Sequence, residues 1–236
     1  MNKEQIANIC EKLYMYCVSQ IPQIENNKLI WFMNGSTLCN MLYNVEYIDD
    51  KEVSKDFKDY CYDFIRQPKG DIDITYIPDR RYEFDLSNEN IKNFQKIAEE
   101  QRTYNFVDSN SELNEEDLKQ LCKMTTKNGF SFYSKKPQYL FLYKFKEFLA
   151  IFNNEILEGN YDEINKKKKN MLNDVKTLYN ISASYCGYEE TLEVIDRLPR
   201  ISNYLHELHE KDINEYKKLL SIAINLLTNE DKKIRR

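Results

Sequence analysis

The stretch PQYLFLYKFKEFLAIFNNEIL, beginning at Pro137, constrains the fold more than any other part of this 236-residue chain. Proline is favoured in the first turn of a helix, where its missing N–H costs nothing, and the apolar residues after it form one broad face. KKKNMLNDVKTLYNI, ETLEVIDRL, SNYLHEL and NEYKKLLSIAINLL come next, separated by Gly159, Gly187, Pro199 and the turn KDIN. Consecutive amphipathic helices with short connections predict an antiparallel bundle over residues 137–236.

Before Pro137 the pattern is mixed. It predicts a helix over 3–19, a strand at 29–33, a helix opening at Ser36 or Thr37 and a strand at 71–77. Pro78, Asp79, Arg80 and Arg81 form a turn leading to a second strand at 82–86. A helix over 88–102, a short strand at 103–107 and a helix over 115–126 come next, the last announced by Asn114 and Asp117 in capping-box positions. Residues 40–65, rich in Tyr and Asp, are expected to insert a helix or loop. The fold class is therefore α/β (α+β), with an N-terminal domain over 1–136 and a helical domain over 137–236.

Composition narrows the setting. No apolar stretch approaches the roughly 20 residues of a membrane helix, and the amphipathic N-terminus, with Glu4 and Glu11, lacks the apolar block of a signal peptide. A cytoplasmic protein with no membrane partner is the expectation. Six cysteines without a C-x-x-C pair are expected to be reduced and mostly buried. His206 and His209, the only histidines, have no Cys or third His nearby and read as structural or surface residues. A net charge of −5 argues against a globally nucleic-acid-binding surface. The local runs, Lys166 to Lys169 and Lys232, Lys233, Arg235 and Arg236, read as a solvated helix face and a frayed tail.

Two short segments carry chemistry. WFMNGSTL, residues 31–38, ends a hydrophobic run in a Gly-Ser turn within a chain that has only five glycines. Such a turn can present backbone N–H groups and a hydroxyl to a phosphate, or it can be an ordinary strand-to-helix connection. RQPKGDIDITYI, residues 66–77, alternates Asp71 and Asp73 with Ile72 and Ile74. On a strand both carboxylates project from one face while the isoleucines enter the core. Like charges so close are unfavourable without a cation between them, and oxygen ligands of this kind suit Mg²⁺ or Mn²⁺ completed by substrate phosphates.

Together, the Gly-Ser turn and the later acid-apolar-acid-apolar strand resemble the signature of the polymerase-beta-type nucleotidyltransferase superfamily. The chain looks closest to its AbiEii-like branch, the nucleotidyltransferase toxins of type IV toxin–antitoxin systems. The matching residues are Gly35, Ser36, Thr37 and Leu38, then Arg66, Pro68, Lys69, Asp71, Ile72 and Asp73. A later block, Pro137, Leu142 and Lys144 followed by Asp174, Val175 and Leu178, is similar to that branch's proline-led lysine helix and aspartate helix. The resemblance implies a nucleotidyltransferase domain with a mixed sheet and flanking helices. It implies that Gly35, Ser36, Thr37 and Lys69 bind an NTP, that Asp71 and Asp73 ligate Mg²⁺ or Mn²⁺, and that Lys144 contacts the nucleotide phosphate or base while Asp174 orients it or acts near the nucleophile. Lys146 competes with Lys144. The implied reaction moves NMP from an NTP to an acceptor such as RNA, a tRNA end included, with an antitoxin protein as partner.

The sequence departs from that pattern in three places. The interval between Ser36 and Asp71 is long, and Met171 stands where the later motif carries a second acid, one turn before Asp174. A third metal-binding carboxylate is not singled out: with a four-residue loop at 78–81, Phe84 instead of Glu83 or Asp85 shares the aspartate face, a one-residue change in loop length reverses this, and Asp108 is a further candidate. Two alternatives therefore stand beside the leading reading. One is transfer of NMP to a protein or small molecule; the other is a catalytically weak nucleotidyltransferase-fold protein acting as an interaction module.

Overall fold

In a computed structural model the described residues are 1–68, 72–76, 84–85, 87–99, 115–159 and 166–228. The chain divides into two compact units, Met1–Lys136 and Pro137–Arg236.

The first unit is built on a six-stranded mixed sheet. Helix α1 (Lys3–Gln20) is opened by a capping box in which Asn2 accepts from the Gln5 amide and the Gln5 side chain accepts from the Asn2 amide. A small hairpin, β1 (Ile24–Glu25) and β2 (Lys28–Leu29), turns through Asn26 and Asn27. Then come β3 (Trp31–Asn34), α2 (Gly35–Met41), a 3₁₀ turn (Leu42–Asn44), β4 (Val45–Ile48), β5 (Lys51–Glu52) and α3 (Lys55–Phe64). Asp49 and Asp50 both adopt positive φ between β4 and β5, the pattern of a two-residue hairpin turn that matches strand twist. The unit continues with β6 (Asp73–Tyr76), α4 (Glu89–Ile97), α5 (Glu115–Leu118), β7 (Leu121–Thr126) and β8 (Ser131–Lys135).

Strand order is β5-β4-β7-β8-β3-β6. β3 runs antiparallel to β6, with Asn34 opposite Asp73, and parallel to β8 through Met33 and Ser134. Trp31, Phe32 and Met33 are buried in consecutive positions, the mark of a strand covered on both faces. The indole N–H of Trp31 donates to the Ile21 carbonyl, and Gln23 exchanges hydrogen bonds with the Tyr133 backbone, so polar groups beside the core strand are satisfied. α1 packs on α2 and α4, and α2 packs on α3, β3 and β6.

Several expected elements and bounds differ from the structure. The helix predicted over 115–126 stops at Leu118, and residues 121–126 form β7. LCKMTT alternates: Cys122, Met124 and Thr126 are buried while Lys123 is exposed, and the threonines favour a strand. The Lys127-Asn128-Gly129 loop, with Gly129 at φ 79°, returns the chain into β8, a strand that helical periodicity does not reveal. Residues 40–65 do hold a helix, α3, and before it the end of α2, a 3₁₀ turn and two strands that were not expected. Helix α4 closes at Ala98, short of the predicted 102. Of the strand predicted at 82–86, Phe84 and Asp85 are described and neither is in a strand; the rest, with the strand at 103–107 and Asn114, lies outside the described residues.

The second unit is helical: α6 (Pro137–Glu158), α7 (Lys166–Cys186), α8 (Tyr188–Glu193), a 3₁₀ turn (Val194–Arg197), α9 (Leu198–Ile201), α10 (Asn203–Lys211) and α11 (Ile213–Thr228). α6 packs on α7 and α11, its Phe141, Phe145, Phe148 and Phe152 buried, and the Phe141 ring meets Tyr179 of α7 edge-on at 5.5 Å. Pro199 does not break the helical path as expected. It sits in the first turn of α9, where a missing N–H is tolerated, and the break falls at the extended Ser202. Ser202 caps α10 and Asp212, within the KDIN turn, accepts from the Asn214 and Glu215 amides to start α11. His206 is exposed and His209 packs edge-on against Tyr216 at 5.1 Å. All six cysteines are free, five buried and Cys186 partly so.

Candidate functional site

The site is built where β3 ends. Gly35 comes directly after Asn34 and takes φ 77°, a left-handed conformation that L side chains rarely adopt, so the chain turns from strand into α2 within one residue. Asn34 occupies the N-cap position of α2 but makes no side-chain cap. Its amide donates instead to the Thr75 hydroxyl on β6. This cross-strand bond, on a pair of strands whose register sets Asn34 opposite Asp73, fixes the turn against the acidic strand.

Asp73 opens β6. Ile72 and Ile74 are fully buried, so over residues 72–74 the expected alternation holds: these isoleucines enter the core and Asp73, half-buried, lies on the other face. The Asp73 carboxylate folds over Gly35. A Cβ at position 35 would lie 1.6 Å from Asp73 Oδ2 and 2.7 Å from Asp73 Cβ, so no residue other than glycine fits beneath it. The sequence places these two residues 38 positions apart; the fold puts them in van der Waals contact.

The approach to β6 is tied to α2. Asn40, almost completely buried, accepts the Arg66 amide at 3.0 Å, and the Pro68 carbonyl accepts the Glu99 amide at 2.9 Å. The Arg66 guanidinium lies over the Phe64 ring at 5.0 Å. Asp71, Lys69 and Glu83, together with Asp108, lie outside the described residues, as does the Ser36 side chain, although the Ser36 backbone belongs to the first turn of α2. Thr37 is completely buried, so its hydroxyl belongs to the interior and not to an open phosphate cradle. Asp85 is exposed and accepts from both the Ser87 amide at 2.9 Å and the Ser87 hydroxyl at 2.6 Å, bonds that hold its carboxyl below the usual range. The carboxylate is thus engaged in the turn that leads into α4.

Lys144 and Asp174 lie in the second unit, on α6 and α7. Lys144 pairs with Glu147 at 2.8 Å, one turn away on the same helix. Lys146 sits over the Tyr143 ring at 5.2 Å. Asp174 is half-buried. Among the described residues no group of three His, Cys, Asp or Glu side chains is arranged to hold a metal ion. Of the predicted site, the structure therefore brings together Gly35, the Ser36 backbone and Asp73.

Three residues around this point had no sequence signal strong enough to single them out. Asn34 and Thr75 look like ordinary turn and strand residues until the register pairs them. Tyr14 of α1 is fully buried and its hydroxyl donates to the Asn34 carbonyl at 3.4 Å. Burial pushes its phenol well up, and the Asp73 carboxylate adds to the rise. Its place in an amphipathic helix signalled only a core residue. No protein-family model matches the chain, and no curated protein and no solved structure is significantly similar to it.

Proposed function

We propose that this protein is a metal-dependent nucleotidyltransferase that moves NMP from an NTP to an acceptor, with RNA, such as a tRNA end, as the leading acceptor. The observation that carries the reading is the Asp73 carboxylate lying on Gly35 at the strand-to-helix turn. A catalytic carboxylate and a phosphate-holding turn must be adjacent, and these two residues are. A side chain at position 35 would displace the Asp73 carboxylate from the turn.

In the proposal Asp73 supplies one hard carboxylate oxygen donor for Mg²⁺ or Mn²⁺ and Asp71 supplies the second. When bound, the cation would neutralise phosphate charge and favour ionisation of the acceptor hydroxyl. The chain's own residues do the rest. The backbone at Gly35 and Ser36 would receive triphosphate oxygens, with the Ser36 hydroxyl and Lys69 adding donors. The acceptor oxygen forms a bond to the α-phosphorus, the bond from that phosphorus to its bridging oxygen breaks, pyrophosphate departs and the acceptor proton passes to solvent. An antitoxin protein as partner, and a cytoplasmic setting, belong to the same proposal.

Incubation with Mg²⁺ and each α-labelled NTP tests it. Label should enter RNA in a lysate, and Asp71→Asn and Asp73→Asn should each reduce transfer by a factor of about 10² or more, on the order of 3 kcal/mol of transition-state stabilisation. Full transfer by both folded variants would overturn the site. Label entering protein or a small molecule instead of RNA would keep the reaction and replace the acceptor.

A further inference from the structure

Tyr14 is a large polar side chain placed in a fully buried position of α1, where phenylalanine would pack equally well. A buried hydroxyl is costly unless it has a partner, and its partner here is the carbonyl of Asn34, the residue immediately before the left-handed Gly35. The same turn is held from the other side by the Asn34 side chain on Thr75. Asn34 is thus gripped at both its carbonyl and its amide, one grip from a helix and one from the neighbouring strand. Directly beyond it Asp73 rests on Gly35. Asp73 is also the carboxylate that bears on the Tyr14 phenol.

We propose that Tyr14 is a positioning residue for this site: its hydroxyl fixes the Asn34 carbonyl, and so the Gly35 turn, in the orientation that presents the Asp73 carboxylate to a divalent cation. The role rests on the nucleotidyltransferase reading for its purpose but not for its geometry. Tyr14 touches no reacting atom and acts through Asn34 and Gly35. Without the hydroxyl, the Asn34 carbonyl keeps only its acceptance from the first turn of α2, the Asn34–Gly35 peptide moves over a wider range, and cation affinity falls although both residues remain.

The test compares Tyr14→Phe with Ser134→Ala in the full chain. Ser134 is also buried and donates its hydroxyl to a β3 carbonyl, that of Met33 at 3.1 Å, one residue before Asn34. The control therefore removes the same kind of bond without touching the turn. Two readouts are used: Mn²⁺ affinity of the folded protein, measured with Mn²⁺ alone by paramagnetic resonance, and the amide resonance of Gly35, one of five glycines. Tyr14→Phe should weaken Mn²⁺ binding threefold to tenfold and move the Gly35 resonance, lowering kcat for transfer with little change in acceptor KM. Ser134→Ala should do none of these. Equal effects in the two variants, or an unmoved Gly35 resonance in Tyr14→Phe, would overturn the proposal. If the wild-type protein neither binds Mn²⁺ nor transfers label, the nucleotidyltransferase reading fails by itself. The Gly35 resonance then decides whether Tyr14 fixes the turn.

Discussion

Replacing Gly35 with alanine tests the contact on which the candidate site rests, independently of any activity. The left-handed φ of 77° costs an L residue roughly 1–2 kcal/mol. The new Cβ would also stand 1.6 Å from Asp73 Oδ2, so the carboxylate must swing aside. Rotation alone does not relieve the overlap, because Asp73 Cβ is only 2.7 Å away and β3 must separate from β6 as well. Overpacking of this kind adds about 1–3 kcal/mol, giving an expected loss of about 2–5 kcal/mol in all. A double-mutant cycle separates the two parts. Asp73→Gly removes all three clashing atoms, so Gly35→Ala in that background should cost only the backbone strain, a coupling of about 1–3 kcal/mol. Urea unfolding monitored by the fluorescence of Trp31, the single tryptophan and a fully buried residue of β3, reads the first unit directly. Additive costs, with coupling inside about 0.5 kcal/mol of zero, would refute the contact between Gly35 and Asp73.

Groups away from the site make predictions of their own. Glu11 of α1 is buried and accepts from Thr126 Oγ1 at 2.6 Å, Asn44 Nδ2 at 2.6 Å and Asn128 Nδ2 at 3.0 Å, joining α1, the first 3₁₀ turn and the β7–β8 hairpin. Glu11→Ala strands these donors and should cost about 3–5 kcal/mol by urea unfolding, with Glu11→Gln costing clearly less. Burial pushes the thiols of Cys10 and Cys17 up to about 12 and those of Cys61 and Cys122 up as well. In the unfolded chain these thiols ionise near about pH 8.5, so it releases protons that the folded chain keeps. Stability from this source is whole below about pH 8.5 and falls above it by about 1.4 kcal/mol per pH unit for each such thiol, as denaturation series up to about pH 11 should show. A thiol reagent at about pH 8 should accordingly label Cys186 before these four, and equal labelling rates in the native protein would contradict the burial.

The two halves of the chain were legible from sequence to different degrees. In 137–236 the information is local: an apolar face recurs at helical spacing, Pro137 starts α6, Ser202 caps α10 and Asp212 caps α11, so the helices could be read one at a time. Pro199 misled because a proline that ends one helix and a proline that begins the next look alike without neighbours. In 1–136 the strands depend on partners distant in sequence. LCKMTT satisfies a capping signal nearby and a strand alternation at once, and pairing with both β4 and β8 decides for the strand.

By itself the sequence determined that Gly35 ends a hydrophobic strand and that Asp73 stands between two core isoleucines, Ile72 and Ile74, because backbone freedom and period-two alternation are local properties. Only the tertiary structure decided that Asp73 lies on Gly35, that Asn34 reaches Thr75 instead of capping its own helix, and that Tyr14 stands behind both. Those relations arise from strand register and from the packing of α1 on α2, which depend on residues far apart in the chain meeting at one point in the core.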